Sequence, residues 1–222
     1  MIQPKLDGSL VLVSPVTLQD CNVVVDNSKG YYLHEGKRVQ DSNYHWLQGI
    51  VFALLSVHSP YHATVAAAQA LQEVDIRDKY SVYYTLRNIK AHDGVVMYAG
   101  TKASWIGELV NSVYRKGVSF SPQGMEDMEY REYLRSNIKG LAYAKSSFAT
   151  MCVKGIANVC CIDTHMHRLW TGKVQTRTLT PSVYLDMEAR VRTIAQQHGV
   201  PCSVAQHCLW DSIRGERTRL MP

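Results

Sequence analysis

One acid stands out by its setting. Asp163 closes an apolar run, Val159-Cys160-Cys161-Ile162, and opens the polar string Asp163-Thr164-His165-Met166-His167-Arg168. A carboxyl at the end of a buried run is partly desolvated, which raises its pKa toward a range useful for catalysis. The same position suits a helix N-cap, where Asp accepts from the first unpaired N–H groups. The two roles are compatible. Upstream stands Lys145, just after Ile138-Lys139-Gly140-Leu141-Ala142. A short glycine-bearing turn between two helices exposes backbone N–H groups at the start of the second, and these suit an anion. Gly140 and the small Ala142 leave room for a phosphate oxygen, and Lys139, Lys145 and Lys154 add positive charge. Contacts of this kind fix position on a nucleic acid without reading its sequence. A bare helical connector has the same pattern.

Other reactive side chains point less far. His165 and His167 have H-x-H spacing, but no third ligand follows at a matching interval, so no metal is expected. The six cysteines, 21, 152, 160, 161, 202 and 208, contain no C-x-x-C and read as buried free thiols. Gln206, His207, Trp210 and Asp211 share a late helix that backs the site, with Trp210 read as core. The net charge of +5 and pI near 8.8 permit a polyanionic partner without demanding one. Hydrophobic residues are 46% and charged ones 19%, which argues for a packed core and against a mostly disordered chain.

These groups need a scaffold, and 222 residues suffice for one compact domain or two small lobes sharing a cleft. Residues 1–40 read as short strands and turns: Leu10–Val13 and Val23–Val25 are β-branched runs, and Asp26-Asn27-Ser28-Lys29-Gly30 is a turn cluster. From 41 to 222 the pattern is nearly all helix. A cap at Ser42–His45 opens an apolar helix, Pro60 begins an alanine-rich one to about 73, and Ala103–Lys116 carries Ile106, Leu109, Val110 and Val113 on one face. Met125–Asn137 is a solvated helix, the hairpin occupies about 133–153, and two helices, about 181–198 and 202–214, follow. The longest apolar stretch, Ile50–Val57, is too short to cross a membrane, and the N-terminus lacks a signal-peptide core. A soluble cytoplasmic monomer with no membrane association is expected.

The hairpin and the acid together resemble the helix-hairpin-helix (HhH-GPD) DNA glycosylase superfamily, which shows L-P-G-V-G-x-K and then V-D-T-H-x-x-R. Phe52–Ser59 is similar to that family's early L-L-S-x-Q-[ST] helix end, and Met97–Ile106 to its G-x-x-x-K-A-x-x-I element. The resemblance covers roughly residues 42–170. It implies a mainly α, two-lobed helical fold, here with a short N-terminal β/irregular segment at 1–40, and double-stranded DNA as partner. It places Asp163 on the catalytic aspartate, Lys139, Gly140, Leu141, Ala142 and Arg168 on DNA, and Trp46, His58, Tyr143 and His165 around a flipped-out base, with Tyr61 and Trp170 as further candidate walls. The spacing C-x6-C-x2-C-x5-C of iron–sulfur members is absent, so no cluster and no cofactor are expected.

Three departures bear on the chemistry. Ala142 replaces the second hairpin glycine, and counted from Gly140 the family's lysine slot holds Ala144, with Lys145 one residue, about 100° of helix, beyond it. Counted back from Asp163, Lys145 itself matches the lysine of the bifunctional members. The turn tolerates insertion less than the following loop, so the first register is preferred and a Schiff-base lyase is not favoured. His58 stands where many members carry glutamine. The expected activity is cleavage of the N-glycosidic bond of a modified or mismatched base, with Asp163 stabilising the sugar cation and Lys145 a second candidate catalytic residue. Two alternatives stay open. Bacteriophage proteins resembling this superfamily attach an amine or amino acid to activated 5-hydroxymethyluracil in DNA, and the host-cell cytoplasm would then be the location. The other is a DNA-binding module without catalysis.

Overall fold

The computed structural model describes residues 2–4, 10–13, 16–42, 45–91, 94–173, 179–215, 217–219 and 221. Among them the chain forms β1 (Ile2–Pro4), β2 (Leu10–Leu12), α1 (Leu18–Gln40), α2 (Trp46–Leu55), α3 (Tyr61–Ala70), α4 (Lys79–Asn88), β3 (Lys90–Ala91), β4 (Gly94–Val95), α5 (Ala99–Tyr114), α6 (Asp127–Asn137), α7 (Tyr143–Lys154), α8 (Thr164–Thr171), α9 (Pro181–Gln197) and α10 (Cys202–Arg214). The fold is mainly helical. It divides into two compact units, one of residues 1–42 with 154–220 and one of residues 43–153 with 221–222.

In the first unit β1 and β2 pair antiparallel, Gln3 opposite Val11. The strand at Val23–Val25 and the turn at Asp26–Gly30, both expected from sequence, are instead the middle of α1. Thr17 and Asp20 start this helix with a reciprocal capping box. Cys21, Val24, Val25, Tyr32, Gly36 and Val39 are buried, a helical spacing that places them on one face. The turn-like residues lie on its other side, where Asn27 donates to the Val23 carbonyl and Lys29 pairs with Asp26 at 2.8 Å. Gly30 in mid-helix costs about 1 kcal/mol against Ala, too little to break a helix packed over its whole length. α1 lies on α10 and also touches α9. A Cβ at Gly36 would meet Ile156 Cγ1 at 2.5 Å, so the glycine admits the loop that leads toward Asp163.

The second unit has a continuous core from α2 to α7. Eight of the ten residues of α2 are buried, as befits a helix apolar on all sides. Its Gly49 faces Cys152 and Val153 of α7, where a Cβ would sit 2.9 Å from Val153 Cγ2. His45 caps α2, accepting from the Leu47 N–H. α3 ends in a 3-10 turn, Leu71–Glu73. α4, capped by Asp78, packs on α5, and the ribbon β3–β4 joins them. α6 stops at Asn137 and α7 begins at Tyr143, so a tight hairpin turn stands at Ile138–Ala142.

Candidate active site

The loop from Ala157 to Asp163 buries Ala157 and Val159–Ile162 yet belongs to neither helix nor sheet. Backbone groups buried in this way need partners from elsewhere. Ser203 exchanges two hydrogen bonds with Ala157, each 3.0 Å. Glu188 accepts from the Cys160 N–H at 3.0 Å, and Gln206 from the Cys161 N–H at 3.4 Å. The Tyr184 hydroxyl donates to the Cys160 carbonyl and accepts from the Ile162 N–H. Side chains of α9 and α10 thus hold the loop that delivers Asp163.

Asp163 is half-buried and caps α8. Its Oδ1 accepts from the N–H groups of His165 at 2.9 Å and Met166 at 3.1 Å, and its Oδ2 accepts from Trp210 Nε1 at 2.8 Å. Three donors match an ionised carboxylate, which only accepts. The His165 ring stands edge-on to Trp210, centroids 5.8 Å apart. Burial lowers the His165 pKa, and the charges of Arg214 and Arg168 push the same way while Asp163 opposes them. The Arg214 guanidinium lies 4.4 Å over the Trp210 ring. Trp210, read from sequence as core, is half-buried and bonded to the acid. His167 contacts Thr171 and the Lys173 carbonyl at 3.3 Å, and no group of three metal-type ligands occurs among the described residues.

Behind this cluster Asp211 accepts from Tyr32, from the Thr218 N–H at 2.7 Å and from Thr218 Oγ1 at 2.8 Å. Burial raises the Asp211 pKa, and the Tyr32 hydroxyl counteracts it. His207, stacked on Tyr32 at 5.7 Å, is depressed by burial. The described cysteines are all buried free thiols. Trp170 is half-buried, and its indole N–H has no hydrogen-bond partner among the described residues.

The second unit carries the other expected residues. Gly140 has φ +92°, and a Cβ there would stand 2.5 Å from Trp105 Cε3, so ring packing as well as the backbone demands glycine. Leu141 is buried in the core and its N–H donates to the Ile138 carbonyl at 3.3 Å, whereas Ala142 is exposed. Lys139 is exposed and pairs with Glu108 at 3.3 Å. Tyr143 is half-buried beneath the guanidinium groups of Arg131 and Arg135, 5.4 and 4.7 Å from its centroid. Lys145 is half-buried, its Nζ 5.5 Å from the Phe148 centroid. Trp46 packs on the core beside Phe120, and Tyr61 is half-buried at the start of α3.

Lys102 is a fully buried cation that sequence reasoning passed over, although it occupies the lysine of the Met97–Ile106 element. Its Nζ donates to the Leu55 carbonyl at 2.5 Å and to Ser59 Oγ at 2.6 Å, and Ser59 Oγ also accepts from the Met97 N–H at 3.0 Å. Burial, and secondarily the charge of Lys145, bring its pKa down to about 7. The two segments it joins each hold an exposed non-glycine residue at positive φ, His58 at 52° and Tyr98 at 56°, whose rings meet edge to face at 5.7 Å.

A family model described as 8-oxoguanine DNA glycosylase, Ogg-HhH, matches residues 32–200. The 8-oxoguanine DNA glycosylase/AP lyase of Fusobacterium nucleatum is 25% identical over 124 residues, 52% of this chain and 57% of that relative, so the match spans little more than half its length. Two solved structures superpose with a TM-score of 0.69: the 8-oxoguanine DNA glycosylases of Methanocaldococcus jannaschii (17% identity, 90% of this chain, 94% of that one) and Thermotoga maritima (14%, 90%, 96%). The Methanocaldococcus jannaschii 8-oxoguanine glycosylase/lyase in complex with a 15mer DNA containing 8-oxoguanine gives 0.67 at 18% identity, over 88% of this chain and 92% of that one. At such identities the likeness of the structures establishes the shared fold.

Proposed function

We propose, on the premise that this chain belongs to the Ogg-HhH family of 8-oxoguanine DNA glycosylases, that it cleaves the N-glycosidic bond of a base turned out of double-stranded DNA. A base inside the duplex is out of reach of a side chain, so it must leave the stack first. The observation that carries this reading is the Asp163 carboxylate, half-buried and fixed by three N–H donors at the head of α8. As the bond from C1′ to the base nitrogen breaks, its electron pair leaves with the base and positive charge grows on the sugar. A fixed carboxylate stabilises that charge without rearranging. Water then adds to C1′ and gives up a proton, leaving free base and an abasic sugar.

The hairpin N–H groups, Lys139 and Arg168 are assigned to backbone phosphates. His58, Tyr143 and His165 are assigned to the base, where His165, kept neutral by burial, offers a hydrogen-bonding edge. Trp46 is committed to packing on Phe120. Lys145 is assigned to DNA contact rather than to a Schiff base, because Ala144 occupies the lysine slot in the hairpin register.

That same position favours a second reading, transfer of an amine or amino acid to an activated 5-hydroxymethyluracil with the glycosidic bond intact. One assay separates the two. The protein is incubated with duplexes containing 8-oxoguanine, other oxidised or alkylated bases, mismatches, or phosphorylated 5-hydroxymethyluracil with amines, and the nucleosides are analysed by mass. Free base, without a borohydride-trapped covalent complex, is the expected result. A trapped complex lost in Lys145→Ala would overturn the role given to Lys145. An adduct on an intact nucleotide would replace excision by transfer.

A further inference from the structure

We infer that Trp210 is a positioning residue: its indole N–H aims the Asp163 carboxylate, and Arg214 and His165 hold the indole in place. The inference rests on the glycosidic role proposed for Asp163 and adds what orients it.

The two oxygens of Asp163 have different duties. Oδ1 is consumed by the cap, accepting from His165 and Met166, and any residue with a short acceptor side chain would start α8 in this way. Oδ2 takes no part in the cap. Its partner is Trp210 Nε1, 47 residues along the chain, at 2.8 Å. The cap fixes where the carboxyl sits, and the indole fixes which way its second oxygen faces.

Trp210 is itself held on several sides. Arg214, one helical turn further along α10, covers the ring at 4.4 Å, and the edge-on His165 ring meets it at 86°. Asp211, next in the chain, is bound by Tyr32 and by both polar atoms of Thr218, which fixes the rotation of α10 about its own axis. A tryptophan retained only for bulk would bury its ring in hydrocarbon. This one is half-buried, with its single polar atom on a carboxylate and a cation on its face.

The decisive variant is Trp210→Phe, which keeps a ring and deletes the donor. Single-turnover base release should slow by about ten- to hundredfold, the size of one lost hydrogen bond to a charged group, while KM for the duplex changes less than about threefold. The melting temperature should fall less than that of Trp210→Leu, which also removes the ring. Independently of any activity, the indole N–H resonance of Trp210, assigned by its loss in Trp210→Phe, should move in Asp163→Asn more than those of the other tryptophans. Wild-type turnover in Trp210→Phe, a loss shared between kcat and KM that follows the melting temperature, or an indole resonance indifferent to Asp163→Asn would each overturn the inference. Failure of the wild-type protein to release any base defeats the glycosylase reading instead, and the indole resonance then still decides whether Trp210 orients the acid.

Discussion

Asp163 in the first unit and Lys102 in the second are both charged groups inside the protein, and they are treated in opposite ways. Asp163 is half-buried, and three N–H groups converge on it from two helices. Lys102 is fully buried, donates to one carbonyl and one hydroxyl, and has a second ammonium near enough to disfavour its charge. A half-buried carboxylate keeps part of its surface open to something that arrives. An enclosed ion is spent on the chain itself, here in tying the end of α2 to the start of α5. Burial alone therefore does not set the role of a charged group; the number and direction of its donors differ between these two.

The sharpest way to break this contrast is Asp163→Asn. Asparagine keeps the cap of α8, but its amide NH2 then faces the Trp210 N–H, so the melting temperature should fall modestly, by about the cost of one lost hydrogen bond. Base release should fall by about a hundred- to a thousandfold, the scale of losing one preorganised electrostatic partner of the transition state. Single-turnover kinetics beside a melting curve measure both. Unchanged turnover removes Asp163 from the chemistry and leaves it a cap.

Lys102→Met addresses the other side. The folded protein gives up the Lys102 proton near pH 7, whereas the unfolded chain keeps it to about 10.5. Between those values the unfolded state binds more protons, so stability rises with pH, by up to about 1.4 kcal/mol per pH unit from this one group. Below pH 7 both states are protonated and the slope vanishes. Denaturation at pH 6.5, 8 and 9 should show the rise in the wild type and a flatter profile in Lys102→Met. The variant also strands the Leu55 carbonyl and Ser59 hydroxyl, so the test is the difference in slope rather than the stability at one pH. Identical slopes would mean that Lys102 keeps its proton throughout.

The sequence made much of the second unit legible because its helices are bounded by local signals: Pro60 before α3, Gly117 after α5, and the glycine turn between α6 and α7. The cap at Asp163 was legible for the same reason. What stayed hidden depended on distant partners. α1 looks like strand and turn because Asp26–Gly30 is a turn composition, and only its packing on α10 shows that those residues form the solvent side of a helix. The cradle of Tyr184, Glu188, Ser203 and Gln206 is built from residues 22 to 46 positions away from the loop they hold, with no spacing to announce them. Trp210 looked like core because an indole is mostly hydrocarbon, and its one polar atom reveals a purpose only beside Asp163. Lys102 likewise became noticeable only when the walls around it were known.

Lys139 supplies the smallest effect and completes the series from enclosed to open charge. Its ammonium is exposed and pairs with an exposed Glu108, an arrangement worth between 0 and about 1 kcal/mol. Lys139→Ala should leave the melting temperature almost unmoved. If Lys139 exchanges Glu108 for a phosphate when DNA binds, the slope of log affinity against log salt should become shallower by about 0.9, one counterion contact on duplex DNA. The loss should be similar for damaged and undamaged duplexes, since a phosphate contact carries no sequence information. Titrations at several salt concentrations, with Glu108→Gln in parallel, test this directly: freeing Lys139 from its partner should strengthen binding slightly. An unchanged salt slope in Lys139→Ala would take this lysine off the DNA and leave the hairpin N–H groups to grip the backbone without it.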